Sequence, residues 1–158
     1  MIFVTVGTTA FDALVQRMDR LAANLDEDVI CQIASGSYTP RRCQSFRFAP
    51  SLDDWFQRAR VVVSHGGQGS IMEAVRSGTP LVGVSNPDRR DRHQDDILDR
   101  FETQHYLIWC RSLEDLAACV ARAGHTSFNA YAEPSCCIHL VIAEFFAEQR
   151  RLRAGRAA

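Results

Sequence analysis

The chain has 158 residues, 46% hydrophobic and 23% charged, the balance of one folded soluble domain rather than a disordered segment. A domain of this size buries about 70% of its extended surface, so it needs neither disulfide nor metal to fold. A net charge of −1 argues against a generally basic nucleic-acid binder, and no nucleic-acid partner is expected.

Met1-Ile2-Phe3-Val4 enters an apolar run with no basic leader, and no apolar run approaches the ~20 residues of a membrane span. Ile2 to Val6 reads as a buried strand ended by Gly7-Thr8-Thr9, after which Phe11, Leu14, Val15, Met18, Leu21 and Ala22 share one helical face. Val29 to Ala34 is a second strand, stopped at Ser35-Gly36-Ser37, and Arg42 to Phe48 a third, with Phe46 and Phe48 on one side. Pro50-Ser51 opens a short helix from Leu52 to Ala59, with Asp53 and Asp54 well placed in its first turn. Val61-Val62-Val63 is a buried strand running into Ser64-His65-Gly66-Gly67-Gln68-Gly69, and a helix from Ser70 to Ser77 stops at Gly78-Thr79-Pro80. Leu81 to Val84 is the next strand, followed by a charged loop from Ser85 to Asp91 and a helix from Arg92 to Phe101. Tyr106 to Cys110 makes the last strand and Leu113 to Ala123 a helix. Repeated strand–helix units with continuous apolar strands predict a parallel sheet covered on both faces, a doubly wound, Rossmann-like α/β fold.

Residues 1–124 hold this pattern, and residues 125–158 read as a linker, with Asn129 and Pro134, and a C-terminal helix. Ile138, Val141, Ile142, Phe145, Phe146 and Leu152 form a broad apolar stripe on it, expected to pack on its own sheet, with docking to another subunit as the alternative. Arg150, Arg151, Arg153 and Arg156 follow the last acid, Glu148, as a solvated helix end or a contact for anionic lipid or an acidic partner. The six cysteines show no zinc spacing and are expected to be reduced thiols.

Ligands of an open parallel sheet bind beyond the carboxyl ends of its strands, where three loops stand out: Gly7-Thr8-Thr9, His65 to Ser70, and Asn86 to Gln94. Glycines admit close backbone approach and a following helix N-terminus favours an anion, so His65 to Ser70 reads as a phosphate cradle. Ser70 is either helix cap or phosphate ligand. Glu73, three residues on, is suited to two ribose hydroxyls, or else is the capping-box partner of Ser70. Met72 stands where a dinucleotide fingerprint needs glycine, and a chain without lysine has no P-loop. Asp26-Glu27-Asp28 matches a metal-binding D-x-D but falls at the wrong end of the sheet, so no metal site is expected.

Ser64-His65-Gly66-Gly67-Gln68-Gly69-Ser70-x-x-Glu73, then Gly78-Thr79-Pro80-Leu81, then Asp91-x-His93-Gln94, resembles the donor-binding half of a GT-B sugar transferase, the family 28 C-terminal domain. Phe3-Val4-Thr5-Val6-Gly7-Thr8-Thr9-x-Phe11 is similar to the opening of the small stand-alone subunit of two-part transferases, whose examples include the dolichol-linked second-GlcNAc transferase and bacterial capsule and exopolysaccharide pairs. The resemblance covers residues 1–124. It implies that His65, the candidate catalytic residue, and Ser70 hold the diphosphate with the amides of Gly67, Gln68, Gly69 and Ser70, beside Gly66. It further implies Glu73 on the ribose, His93 and Gln94 on the sugar, Gly7, Thr8 and Thr9 facing the phosphates, and Phe48 to Leu52 framing the uracil.

Many relatives have Asp-Gln where this chain has His93-Gln94, so the sugar does not carry over. A GT-B enzyme has two such domains, and this length fits one. The resemblance therefore implies a UDP-sugar-dependent, metal-independent, inverting hexosyltransferase of exopolysaccharide or capsule type, with no cofactor. Its partner would be a membrane-anchored subunit that carries the lipid-linked acceptor and holds the chain at the inner face of the membrane. The alternatives are a non-catalytic enhancer of a membrane-bound partner and a free-standing epimerase or hydrolase of UDP-sugars.

Overall fold

The computed structural model describes residues 1–88, 92–133 and 135–155. Six strands form one sheet: β1 (Ile2–Thr5), β2 (Val29–Gln32), β3 (Gln44–Phe46), β4 (Val61–His65), β5 (Leu81–Val84) and β6 (Ile108–Cys110). Their order is β3-β2-β1-β4-β5-β6, and every neighbouring pair is parallel. The chain builds outward from β1 to one edge, then returns beside β1 with β4 and builds to the other. That reversal is the doubly wound pattern the alternation of elements predicts.

Both faces of the sheet are buried, which is why the strand sequences are apolar without alternation. Ile2, Val4, Val61 and Val63 point to one face, under the helices α1 (Asp12–Ala22) and α5 (Leu116–Ala123). Phe3 and Val62 point to the other, under α2 (Asp53–Arg58), α3 (Gln68–Ser77) and α4 (His93–Thr103). On that second face Phe3 stacks on Phe46 and Trp55, at ring centroid distances of 6.3 and 6.0 Å, and meets Phe56 edge-on. The buried stripe of α1, Leu14, Val15 and Met18, is the one its spacing predicts.

Most elements end a residue or two from where the sequence places them, and four differences have a physical reason in the structure. β3 begins at Gln44 rather than Arg42 because the amides of Arg41, Arg42 and Cys43 all donate to the Asp19 carboxylate instead of to a ladder. Phe48 lies beyond that strand and is 63% exposed, away from the buried side that Phe46 shares. α3 begins at Gln68, two residues before the expected Ser70, because Gly67 takes the cap position and accepts the first helical bond from the Ile71 amide. A 3-10 turn, Leu113–Asp115, precedes α5 and is capped by the Ser112 side chain.

The largest correction concerns α6 (Ile138–Gly155). Ile138, Leu140, Val141, Ile142, Phe145 and Phe146 are each between 48 and 60% exposed, so the stripe does not pack on its own sheet. Both faces already have their helices. The linker adds the last cover: Phe128 packs on the first core, Tyr131 meets Tyr106 edge-on, and Glu133 pairs with Arg76 before the chain leaves the body. Asp91, Pro134, Arg156 and the side chains of Arg150, Arg151, Leu152 and Arg153 lie outside the described residues. Among the described residues no helix is long and apolar enough to cross a membrane.

Candidate functional site

The order in which strands are added reverses between β1 and β4, and the loops leaving their carboxyl ends diverge to opposite faces. A cleft of about 820 Å³ opens there. Gly7, Thr8 and Thr9 line one side, and His65 to Ser70 and Glu73 the floor. Phe48 to Asp53 line a second side, and His93 with Gln94 a third. Every residue that the resemblance assigns to the donor therefore borders one space, whereas Asn86, Pro87 and Arg92 of the third loop face away from it.

The floor is built around an imidazole. His65 ends β4 and is 7% exposed. A Cβ on Gly7 would run into its Cε1, and a Cβ on Gly67 would run into its ring nitrogen, so backbone closes on the ring from two loops. Gly7 also holds φ 65°, a conformation that glycine adopts without strain. Gly66 serves another contact, since a Cβ there would sit 2.9 Å from Gln94 Cβ and 3.0 Å from Leu98 Cδ1. Glycine at this point lets α4 come down onto the strand end.

Above the imidazole stands the N-terminus of α3. The first amides of a helix have no partner inside it, and no side chain caps this one. No acid lies in its first turn, and nothing stands within 4 Å of the space over Gly69. Uncapped amides and a positive helix end facing an open cleft make an anion site. Ser70 is the third helical residue rather than the cap, and its Oγ lies 3.0 Å from where a Gly7 Cβ would stand, against the opposite loop. That position removes the capping-box reading of Glu73, which needs Ser70 at the cap. Glu73 lies one turn further along α3, exposed, on the cleft wall.

The α4 wall is less open than the sequence suggested. His93, first residue of the helix, is exposed, but Gln94 is 8% exposed and its Oε1 accepts from the Asn86 amide at 2.8 Å. Asn86 in turn donates from Nδ2 to the Ala10 carbonyl at 3.2 Å, tying the β5 loop to the β1 loop. Gln94 thus spends its carbonyl on the fold and borders the cleft with the remainder of its carboxamide. Sequence reasoning missed Gln32 and gave Asp53 only a helix-end duty, although both line the cleft. For Gln32 a signal existed: a carboxamide ending the apolar strand Val29-Ile30-Cys31 must find buried partners.

Asp26-Glu27-Asp28 lies at the other end of the sheet, where Glu27 pairs with Arg60 and with the Met1 amine at 3.4 Å. Arg60 and the amine together hold the Glu27 carboxyl below its usual range, Arg60 contributing most. Among the described residues no group of three or more His, Cys, Asp or Glu is placed to hold a metal ion.

Fold and cleft define a Rossmann-like domain of the kind that GT-B glycosyltransferases contain. The calicheamicin glycosyltransferase CalG4 superposes with a TM-score of 0.65 at 18% identity, over 80% of this chain and 35% of that one. MurG of Acinetobacter baumannii gives 0.64 at 15%, over 90% of this chain and 48% of that one. A solution structure of ALG13 gives 0.59 at 19%, over 84% and 89%. Residues 1–122 match the Glycosyltransferase family 28 C-terminal domain, and the chain belongs to that family. Among curated proteins it is 34% identical to the UDP-N-acetylglucosamine transferase subunit ALG13 of Mus musculus, over 68% of this chain and 10% of that protein. The Homo sapiens protein of the same name is 32% identical, over 69% and 11%. The chain thus spans about a tenth of the length of these two relatives. Those names give UDP-N-acetylglucosamine transfer and lend no support to the narrower expectation of capsule or exopolysaccharide synthesis.

Proposed function

We propose that this chain is the donor-binding subunit of a two-part glycosyltransferase that moves N-acetylglucosamine from UDP to a lipid-linked acceptor. The observation that carries the reading is the single cleft at the β1/β4 reversal, where an uncapped helix N-terminus, His65, Glu73 and the Phe48 wall converge. The choice of sugar rests on the names of the curated relatives.

In this reading the diphosphate sits over α3, held by the amides of Gln68, Gly69 and Ser70, the Ser70 hydroxyl and His65, with Gly7, Thr8 and Thr9 opposite. Glu73 accepts hydrogen bonds from the ribose hydroxyls, the exposed Phe48 ring and the chain to Leu52 flank the uracil, and His93 with Gln94 meets the sugar. Charge develops on the leaving diphosphate, and fixed amides with an imidazole stabilise it without need of a metal. Direct attack by the acceptor hydroxyl inverts the anomeric centre. The acceptor and the base belong to a membrane-anchored partner, and α6 with its exposed apolar residues is the segment that docks to it, holding the chain at the cytoplasmic membrane face. No cofactor takes part.

Thermal melting of the purified chain with UDP, UDP-GlcNAc, UDP-glucuronate and UDP-galactose, with NAD as control, tests the donor site. A ligand at ten times its dissociation constant adds ~1.4 kcal/mol, a shift of roughly 2–5 °C. The expected result is a shift with UDP compounds alone that disappears in Glu73→Ala. An equal shift in that variant removes Glu73 from the site, and a chain that responds to none of them, alone or copurified with its partner, overturns the reading.

A further inference from the structure

We infer that Gln32 is a positioning residue that locks the phosphate-facing loop and the base-side segment of the cleft into one unit, so that a nucleoside diphosphate is bound by both together. The inference rests on the donor reading above and adds a residue that the resemblance does not supply.

Gln32 is the last residue of β2, 3% exposed, and it borders the cleft. Its carboxamide makes four hydrogen bonds. Oε1 accepts from Thr5 Oγ1 at 2.7 Å and from the Val6 amide at 3.3 Å. Nε2 donates to the Gly7 carbonyl at 2.7 Å and to the Arg47 carbonyl at 2.8 Å. Two donors and two acceptor sites are all that a carboxamide offers, and only one orientation of the group suits two carbonyls on one side and two donors on the other.

The partners lie on different pieces of chain. Thr5 Oγ1 also accepts from the Gly7 amide at 3.2 Å, so both backbone polar groups of Gly7 are fastened to Gln32, one directly and one through Thr5. This fixes the left-handed turn that brings Gly7 against His65. On the other side Gln32 grips Arg47, the residue before Phe48, and the Arg47 guanidinium continues the tie to the Ala34 and Gly36 carbonyls at 2.8 and 3.1 Å. A displacement of either wall therefore breaks bonds to the other.

The chemistry is specific to glutamine. Methionine matches its length without any of the four bonds, glutamate cannot donate to the two carbonyls, and asparagine is one methylene short of both.

The test uses the full chain. Backbone amide resonances are followed by NMR while inorganic pyrophosphate is added to the wild type. Coupled walls move the Arg47 and Phe48 signals along with those of Gly7 and Thr8. Movement at Gly7 and Thr8 alone overturns the inference, as does silence at all four residues in a chain that binds UDP. Calorimetry with UDP compares the wild type with Gln32→Met, for which about tenfold weaker binding is expected. A folded Gln32→Met that binds UDP as well as the wild type also overturns it, and if that variant does not fold, the wild-type titration decides. A wild type that binds neither pyrophosphate nor UDP overturns the donor reading itself, and the inference with it.

Discussion

Asp19 and Glu73 are both helical carboxylates in opposite surroundings, the one buried among donors and the other exposed on the cleft. Asp19 is 1% exposed and receives the Tyr38 hydroxyl at 2.7 Å and the amides of Arg41, Arg42 and Cys43 at 3.0, 2.7 and 3.1 Å. Burial alone pushes its pKa up, but these four donors outweigh it and hold the carboxyl at about 2. A folded-state pKa below the unfolded ~3.9 stabilises the fold above about pH 4, and that stability drains away as the pH falls toward 2. The contribution is about 2–3 kcal/mol. Urea midpoints of the wild type should therefore drop most between pH 4 and 2, while Asp19→Asn should be less stable at pH 6 and lose less over that range, the remaining slope coming from carboxylates such as Glu27. Equal slopes would show that other carboxylates carry the acid sensitivity. Phe48 is the reverse case, a large ring 63% exposed with no packing duty to explain it. Phe48→Ala is expected to leave the melting point within a degree or two and to weaken UDP by ~0.5–1.5 kcal/mol, with pyrophosphate binding unchanged. Calorimetry with the two ligands separates a stacking role from a general one.

At the scale of elements, what the sequence disclosed and what it hid follow from how much of each element's environment its own residues encode. Strands buried on both faces are continuously apolar, so Val61-Val62-Val63 and Leu81 to Val84 announce themselves, and with them the parallel sheet. The loops at their ends were legible as loops because glycines after His65 interrupt the apolar run. Boundaries set by distant side chains were not. Nothing local to Arg42 says that a carboxylate twenty-three residues earlier takes its amide. Ser70 has the composition of a cap, yet Gly67 fills that place, because a glycine with extended backbone starts a helix without a side chain. The stripe of α6 reveals an apolar face but not what covers it, and periodicity is silent on whether the sheet still has room. Because its described side chains are exposed, deleting residues 138–158 is expected to leave the melting temperature of the body unchanged within a degree or two. The same deletion should abolish copurification with a membrane-anchored partner. A drop of many degrees would mean that α6 packs on the body in solution, and retained copurification would move the docking surface elsewhere.

For the whole molecule, the ionisable groups that border the cleft decide what the proposed donor site needs from elsewhere. His65 is enclosed between Gly7 and Gly67 at the strand end, which in the proposed reading leaves it to stabilise a leaving diphosphate rather than to serve as the base. Glu73, Asp53 and His93, on α3, α2 and α4, are the other ionisable groups among the described residues that border the cleft. On the donor reading proposed above, the base and the acceptor come from outside the domain. The purified chain is accordingly expected to bind UDP-GlcNAc and to transfer nothing when mixed with lipid-linked acceptor in vesicles. Activity should appear only when the membrane partner is present, and should fall with Glu73→Ala in that reconstituted pair. Chromatography of the nucleotide and sugar products decides the matter. Transfer by the chain alone would place a base within this cleft after all. Release of free sugar by it alone would make it a hydrolase of UDP-sugars, and full activity of the pair despite Glu73→Ala would make it an enhancer whose cleft is not the donor site.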